Sequence, residues 1–273
     1  MSENVSIAAL TLNCGVKIPQ VGLGVWQSGG HTKKAVAAAL SAGYRHVDTA
    51  AVYGNEAAVG TAIAESGIAR EQLFVTTKLW NNDQGYDKAQ VAFDASLKRL
   101  RLDYIDLYLI HWPVAGLRLE SWRALEQLFA DKRVRAIGVS NFLLPHLKEL
   151  QGSAKVLPAV NQLELTPFLQ RSDTVKLCRE LGITLEAYSP LTRGQRLGHP
   201  MVLEIAQETG RSAAQVLLRW GIQQGFVVLP KSVTPARIEE NAALDFELDA
   251  AAMQRLDALE EGLVTGWDPS TQA

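Results

Sequence analysis

The chain has 273 residues, 47% of them hydrophobic and 21% charged, with a formal net charge of -2 at pH 7. At this length a folded chain buries about three quarters of the surface that its unfolded form exposes, so a large core is available. The near-neutral charge excludes the basic footprint of a nucleic-acid binder and offers an anionic membrane surface nothing to hold. Cys14 and Cys178 lie far apart. They make neither a disulfide framework nor a zinc ligand set, so a reduced, cytoplasmic setting is expected. The opening MSENVSIAAL lacks a basic segment followed by a long apolar one, and no signal peptide is expected. No run of about 18 apolar residues is present to span a membrane.

Residues 5–18 predict a β-hairpin turning at Asn13-Cys14-Gly15. A regular alternation follows. "QVGLGVW" reads as a strand and His31 to Ala42 as a helix. "RHVDT" is a strand, and "NEAAVGTAIAESG" is an amphipathic helix stopped by Gly67. "LFVTTKL" precedes a helix from Lys88 to Leu100, and "YIDLYLIHW" precedes one from Glu120 to Lys132. "RAIGVSN" is followed by a helix from Pro145 to Gln151, and "PAVNQLE" by one from Arg171 to Leu181. After "ITLEAYSP" come two helical stretches, 199–208 and 212–224. "GFVVLPKS" leads into a helix from Pro235 to Ala242, and Ala250 to Glu261 predicts an extra helix before the tail.

Eight βα units with short strands rich in Val, Ile and Leu fit a parallel sheet covered on both faces. Eight units at this length predict a (β/α)8 TIM barrel, with the hairpin closing the bottom and the last helix added at the C-terminus. A doubly wound open sheet is the alternative. No linker or change in composition divides residues 1–273, so a single domain is expected.

Chemistry in a parallel barrel gathers at the C-terminal ends of the strands. Those ends carry Gly24 and Trp26; Asp48, with Tyr53 in the next loop; Lys78 and Trp80; His111 and Trp112; Ser140 and Asn141; Gln162; Tyr188 and Ser189; Lys231 and Ser232. Each alone has a bland reading: a turn aspartate, a solvated lysine, a core histidine. Their concentration on one barrel face is what points to a site.

A phenol titrates near 10 and is a poor acid at neutral pH unless tuned. A nearby ammonium favours the phenolate, so Lys78 could lower the pKa of Tyr53 while Asp48 holds Lys78 charged and oriented. His111 could hydrogen-bond a substrate oxygen. Together these residues place a proton donor at a carbonyl oxygen that gains negative charge, which suits carbonyl reduction by a hydride donor. The five histidines are scattered, so no catalytic metal is expected. No Gly-x-Ser-x-Gly elbow is present, and "GLGVWQ" lacks the third glycine of a dinucleotide fingerprint.

In "LPKSVTPARIEEN", Lys231, Ser232 and Arg237 set two cations and a hydroxyl around a strand-to-helix turn. A helix N-terminus already favours anions, and the added cations suit a phosphate monoester such as the 2′-phosphate of NADP. The bland alternative is a solvated basic turn. Trp26, Trp80 and Trp112 would give walls for a small amphipathic ligand, or else pack the barrel rim. Trp267, in the tail, could close over the same pocket or pack on the barrel.

"GYRHVDTAAVYGNE", "VTTKLWN", "LYLIHWP", "IGVSNF", "AVNQLELTP", "AYSPL" and "LPKSVTPARIEEN" occur in the order found in one known family. Over essentially its whole length the chain resembles the aldo-keto reductases, most of all the bacterial diketogluconate and methylglyoxal reductase branch. The resemblance implies that Tyr53 is the general acid, tuned by Lys78 and Asp48, and that His111 orients the carbonyl. It implies that Ser140, Asn141 and Gln162 hold the nicotinamide carboxamide and that Tyr188 stacks on its ring. The Ser189 to Arg196 segment, Leu191 included, would lie near the pyrophosphate. Lys231, Ser232 and Arg237 would grip the 2′-phosphate, with Glu240 and Asn241 at the adenine. The implied cofactor is NADPH, bound without a Rossmann fold, the implied partner a small carbonyl substrate, and the implied state a monomer. The loop "PVAGLRLE" is short beside the long loop of the family's animal enzymes, which implies a wide, open pocket. A non-catalytic NADPH-binding sensor on the same fold is the rival reading, though such a protein would need no proton donor.

Overall fold

The computed structural model describes residues 8–271. An antiparallel hairpin comes first, β1 (Ala9–Thr11) and β2 (Lys17–Pro19), with Leu10 opposite Ile18. The part of the predicted hairpin before residue 8 lies outside the described residues. Its turn is the expected one: Gly15 has φ +83°, a conformation that costs glycine nothing.

Eight parallel strands then alternate with helices. In chain order they are β3 (Leu23–Gly24), β4 (His46–Asp48), β5 (Phe74–Leu79), β6 (Ile105–Ile110), β7 (Val134–Ser140), β8 (Val160–Glu164), β9 (Thr184–Tyr188) and β10 (Val227–Leu229). Each pairs with the next in parallel. The segment leading into β3 returns to β10: Gly22 N–H donates to the Val228 carbonyl (3.0 Å), and Val228 N–H donates to that of Gln20 (2.9 Å). Those bonds close the barrel. The first strand is shorter than "QVGLGVW" suggested, because its backbone alternates between two neighbours and leaves few residues in either ladder.

The helices covering the barrel are α1 (Thr32–Ser41), α2 (Glu56–Glu65), α3 (Tyr86–Leu100), α4 (Arg118–Ala130), α5 (Leu144–Gln151), α6 (Ser172–Glu180), α7 (Pro200–Thr209), α8 (Ala213–Gln223), α9 (Pro235–Ala242) and α10 (Ala250–Asp257). The main apolar cluster lies between the helices and the outer face of the barrel. In α2, Gly60 faces α3 so closely that a Cβ there would sit 2.1 Å from the Leu100 carbonyl oxygen. A second cluster fills the barrel bottom, where Leu12 and Ile18 of the hairpin meet Phe74, Leu107, Val160 and Val227. The hairpin therefore closes that end, as expected.

The last helix stops short of the predicted Glu261. Glu261 and Leu263 instead turn their N–H groups to the Phe168 carbonyl, at 3.2 and 3.0 Å. Docking the tail on the loop after β8 replaces the last helical turn. No described helix is long and apolar enough to cross a membrane.

Candidate active site

His46 and Asp48 are two residues apart on β4 and so face the same way, into the barrel. Asp48 ends the strand, and Lys78 lies near the end of the adjacent β5. Lys78, with no exposed surface, donates from Nζ to Asp48 Oδ1 (2.6 Å) and to the Thr49 carbonyl (2.9 Å). The loop between Asp48 and Glu56 is folded by its own polar groups. Thr49 Oγ1 donates to Asn55 Oδ1 (2.7 Å), and Asn55 Nδ2 donates to the Val25 carbonyl (2.9 Å). Between those anchors a single 3-10 turn, Ala51–Tyr53, followed by Gly54 at φ +66°, swings Tyr53 back toward the strand ends. The Lys78 ammonium then lies 5.3 Å from the Tyr53 ring centroid. Glu56 is a structural carboxylate. It accepts from Thr77 Oγ1 (2.6 Å) and Arg99 Nε (2.5 Å), tying α2 to β5 and α3.

His111 follows β6. Its ring meets that of Tyr53 edge-on at 5.7 Å and that of Trp80 at 5.3 Å. Burial first, and the Lys78 charge second, hold its pKa well below the ordinary histidine value, so the imidazole is neutral. Its buried Nδ1 has no hydrogen-bond partner among the described residues. Burial also raises the Tyr53 pKa. The Lys78 charge pulls it down and Asp48 pushes it further up, so the net direction is upward. The expected lowering by Lys78 is present as a component but loses to the exclusion of water. For Lys78 burial is the largest single influence and acts downward, yet Asp48, Tyr53 and Glu186 together outweigh it and the ammonium is kept.

The next strand ends form one hydrogen-bonded shelf. Ser140 Oγ donates to the Gln162 carbonyl (3.0 Å). Asn141 Nδ2 donates to the His111 carbonyl (3.0 Å) and to Ser140 Oγ (3.1 Å). Tyr188 OH donates to Asn141 Oδ1 (2.8 Å). Gln162 Nε2 donates to Asp48 Oδ2 and to Glu186 Oε2, each at 2.9 Å. Asn141 holds a left-handed backbone, φ +65°, that turns its side chain onto this shelf. An amide nitrogen has two protons, and those of Gln162 and Asn141 are committed to the protein. What the shelf still offers is acceptor capacity, which fits the NH2 of a carboxamide.

Beyond Tyr188 the backbone is strained. Ser189, Thr192 and Arg193 all have φ near +50°, a region costing non-glycine residues about 1–3 kcal/mol each. Leu191, between them, packs half-buried against the main core. Arg193 lies over the Trp26 ring, 4.5 Å from its centroid. Trp26 and Trp267 are exposed at the mouth, whereas Trp112 is buried. Trp267 lies 6.5 Å from Trp80 and 5.8 Å from Trp112, so the tail brings a further indole to the two predicted wall residues. Thr265 fixes the tail there by donating its N–H to Glu164 Oε1 (3.0 Å).

The turn between β10 and α9 follows beside Gly24, whose N–H donates to the Pro230 carbonyl (3.1 Å). Ser232 Oγ accepts from Thr234 N–H (3.1 Å), just ahead of α9. Lys231 and Arg237 are both exposed and make no ion pair among the described residues. Glu240 is half-buried on the same helix, and Asn241 is buried.

Glu186 is a buried member of this site that the strand-end pattern does not single out. Its signal was present: in "ITLEAYSP" it stands two residues before Tyr188, on the same face of the strand. Thr49 and Asn55 also carry a signal, since threonine and asparagine are residue types that fold a loop onto itself.

A closed eight-stranded barrel with a Tyr, Lys, Asp and His set at its mouth defines an oxidoreductase barrel, and residues 20–261 match the model of the aldo/keto reductase family. The chain belongs to that family, which uses NADPH. It is 49% identical over 269 residues to the uncharacterized oxidoreductase YtbE of Bacillus subtilis, covering 96% of each chain. It is also 49% identical to the glyoxal reductase of the same organism, covering 94% of this chain and 95% of that one. The crystal structure of an aldo/keto reductase from Brucella melitensis superposes with a TM-score of 0.91 at 47% identity, over 93% of this chain and 100% of that one. A Bombyx mori aldo-keto reductase in complex with NADP superposes with a TM-score of 0.91 at 37% identity, over 96% of this chain and 95% of that one.

Proposed function

We propose that the protein reduces the carbonyl group of small aldehydes or ketones, dicarbonyls and keto sugars included, to an alcohol, with NADPH as reductant and Tyr53 as proton donor. The observation that carries this reading is the Asp48–Lys78 pair at 2.6 Å, with its ammonium held 5.3 Å from the Tyr53 ring. A protein that only bound the nucleotide would have no use for a phenol beside a buried cation.

Ser140, Asn141 and Gln162 would hold the carboxamide, Tyr188 would carry the ring, and the Ser189 to Arg196 segment would lie along the pyrophosphate. Lys231, Ser232 and Arg237 would hold the 2′-phosphate, with Glu240 and Asn241 near the adenine. When bound, NADPH supplies the hydride to the carbonyl carbon. The remaining work falls to the chain. His111, neutral, donates a hydrogen bond to the carbonyl oxygen and fixes its position. As negative charge grows on that oxygen, Tyr53 passes it the phenolic proton, and the Lys78 ammonium stabilises the phenolate left behind. Solvent then restores the proton to Tyr53. The net change is one hydride and one proton added across the C=O bond. Trp26, Trp80, Trp112 and Trp267 give the entry an aromatic lining that keeps water from the reacting centre.

The glyoxal reductase relative supports small dicarbonyls as the first substrates to try. The test is NADPH oxidation with a panel of aldehydes, diketones and keto sugars, using wild type and Tyr53→Phe. Tyr53→Phe should lose about 10²–10⁴-fold in kcat, the usual contribution of a positioned acid. Equal activity in the two proteins would refute Tyr53 as the acid. Tight NADPH binding with no turnover on any carbonyl would favour the sensor reading. We further propose a monomer working in a reducing cytoplasm, in keeping with the free Cys14 and Cys178; gel filtration at micromolar concentration tests the first part.

A further inference from the structure

Below the four site residues lies a second acid–base group that the reaction scheme does not use. Glu186, on β9, has no exposed surface. Its Oε2 accepts from Gln162 Nε2 at 2.9 Å, and the same amide nitrogen donates to Asp48 Oδ2 at 2.9 Å. Its Oε1 has no hydrogen-bond partner among the described residues and faces His46 Nε2 at 3.8 Å. His46 is buried as well, with Nε2 3.1 Å from Thr76 Oγ1. The groups facing Glu186 are thus Gln162 on β8, Asp48 and His46 on β4, and Lys78 on β5; its partner in the β10 ladder is the apolar Val227. Two carboxyl groups share one amide, and a single ammonium lies near both.

We propose that Glu186 is a positioning residue of the reaction: it pins the Gln162 amide and, through it, sets the charge around Asp48, Lys78 and Tyr53. This rests on the carbonyl-reductase reading above. Two consequences follow from the connections. First, with Nε2 held between two carboxyl groups, the Gln162 amide has one orientation, and its Oε1 is what remains for the cofactor carboxamide. Second, the charge of Glu186 matters to the chemistry. Burial raises its pKa to about 8, and Asp48 acts in the same direction, while the Gln162 bond and Lys78 act against them. The group therefore holds its proton to a higher pH than an ordinary carboxyl, and while it is protonated Lys78 answers chiefly to Asp48. Above that pH a second negative charge appears beside the same ammonium. The phenolate of Tyr53 is then less well stabilised, and its proton is harder to give.

The test compares Glu186→Gln and Glu186→Leu with wild type. Glutamine keeps the shape of the neutral acid and an oxygen that can accept from Gln162, but cannot ionise. Glu186→Gln should therefore keep wild-type single-turnover rates at pH 7 and lose the wild-type fall in rate above about pH 8. Glu186→Leu should lower kcat and weaken NADPH binding, each by about tenfold, the equivalent of one lost hydrogen bond. Its carbonyl KM should not move. Infrared difference spectra at pH 7 should show a protonated carboxyl band in wild type that is missing in Glu186→Gln, and this readout needs no turnover. The inference is overturned if the Gln variant and wild type share one pH profile, or if the band is absent. It is also overturned if a folded Leu variant keeps wild-type kcat and NADPH affinity. Failure of wild type to reduce any carbonyl would instead overturn the functional reading itself.

Discussion

Replacing Lys78 with methionine keeps most of the side-chain volume and removes the cation from a site with no exposed surface. The ammonium lies 2.6 Å from Asp48 Oδ1. With an effective dielectric constant of about 20, Coulomb attraction at that separation is on the order of 6 kcal/mol, set against the cost of taking both ions from water. What matters is the state of the survivor. After Lys78→Met, Asp48 keeps the bond from Gln162 but loses its counter-ion, and breaking a buried pair in this way costs about 3–5 kcal/mol. Asp48→Asn strands the ammonium and should cost a similar amount. The double variant Asp48→Asn/Lys78→Met removes both charges of the pair and strands neither, so it should be more stable than either single variant. The coupling energy should be about 3 kcal/mol or more, well outside the roughly 0.5 kcal/mol within which independent sites add. Guanidinium unfolding followed by circular dichroism, on wild type and the three variants at pH 7, measures it. Additive losses would show that the pair is not acting as one buried unit. All three variants should lose turnover, so stability and catalysis respond in opposite ways to the second substitution.

Arg237→Ala should raise the Kd for NADPH by about tenfold or more and leave that for NADH almost unchanged; equal losses would place Arg237 away from the 2′-phosphate. Gly60→Ala should destabilise the fold by about 1–3 kcal/mol or more, because the added Cβ would sit 2.1 Å from the Leu100 carbonyl oxygen and force α2 from α3. A melting temperature equal to wild type would refute that packing. The stability of Glu186→Gln relative to wild type should improve as pH rises from 5 to 9. The wild-type carboxyl binds its proton more tightly when folded, since burial lifts its pKa from 4.5 to about 8, so its stabilising effect fades across that window. Denaturant midpoints at pH 5 and pH 9 check the sign, and a constant difference would refute it.

The fold was legible in the sequence because both periodicities were strong. Eight apolar strands, each followed by a helix, leave a closed parallel sheet as the simplest way to cover both faces. Asp48, Lys78 and His111 were legible because each interrupts an apolar run at or beside the point where a strand ends. Glu186 escaped for the opposite reason. It lies within a strand, where a carboxylate reads as a face turned to water, and only closure of the barrel turns that face inward. The sign of the Tyr53 shift was likewise out of reach. It is decided by how much water the packed mouth excludes, a property of the assembled barrel and of no single stretch. Trp267 could be named, but its position depends on the tail leaving its helix early to reach the Phe168 carbonyl.

The hairpin stopper has a further consequence. With Leu12 and Ile18 seated among Phe74, Leu107 and Val160, apolar side chains fill the bottom end of the barrel. A proton exchanging with Glu186 would then have to use the end of the barrel that admits the reactants. Once that end is filled, the inner charges keep whatever state they held at entry. The interior would then carry the pH of the moment of loading through each turnover, and a pH jump would act on the next cycle, not on the one under way.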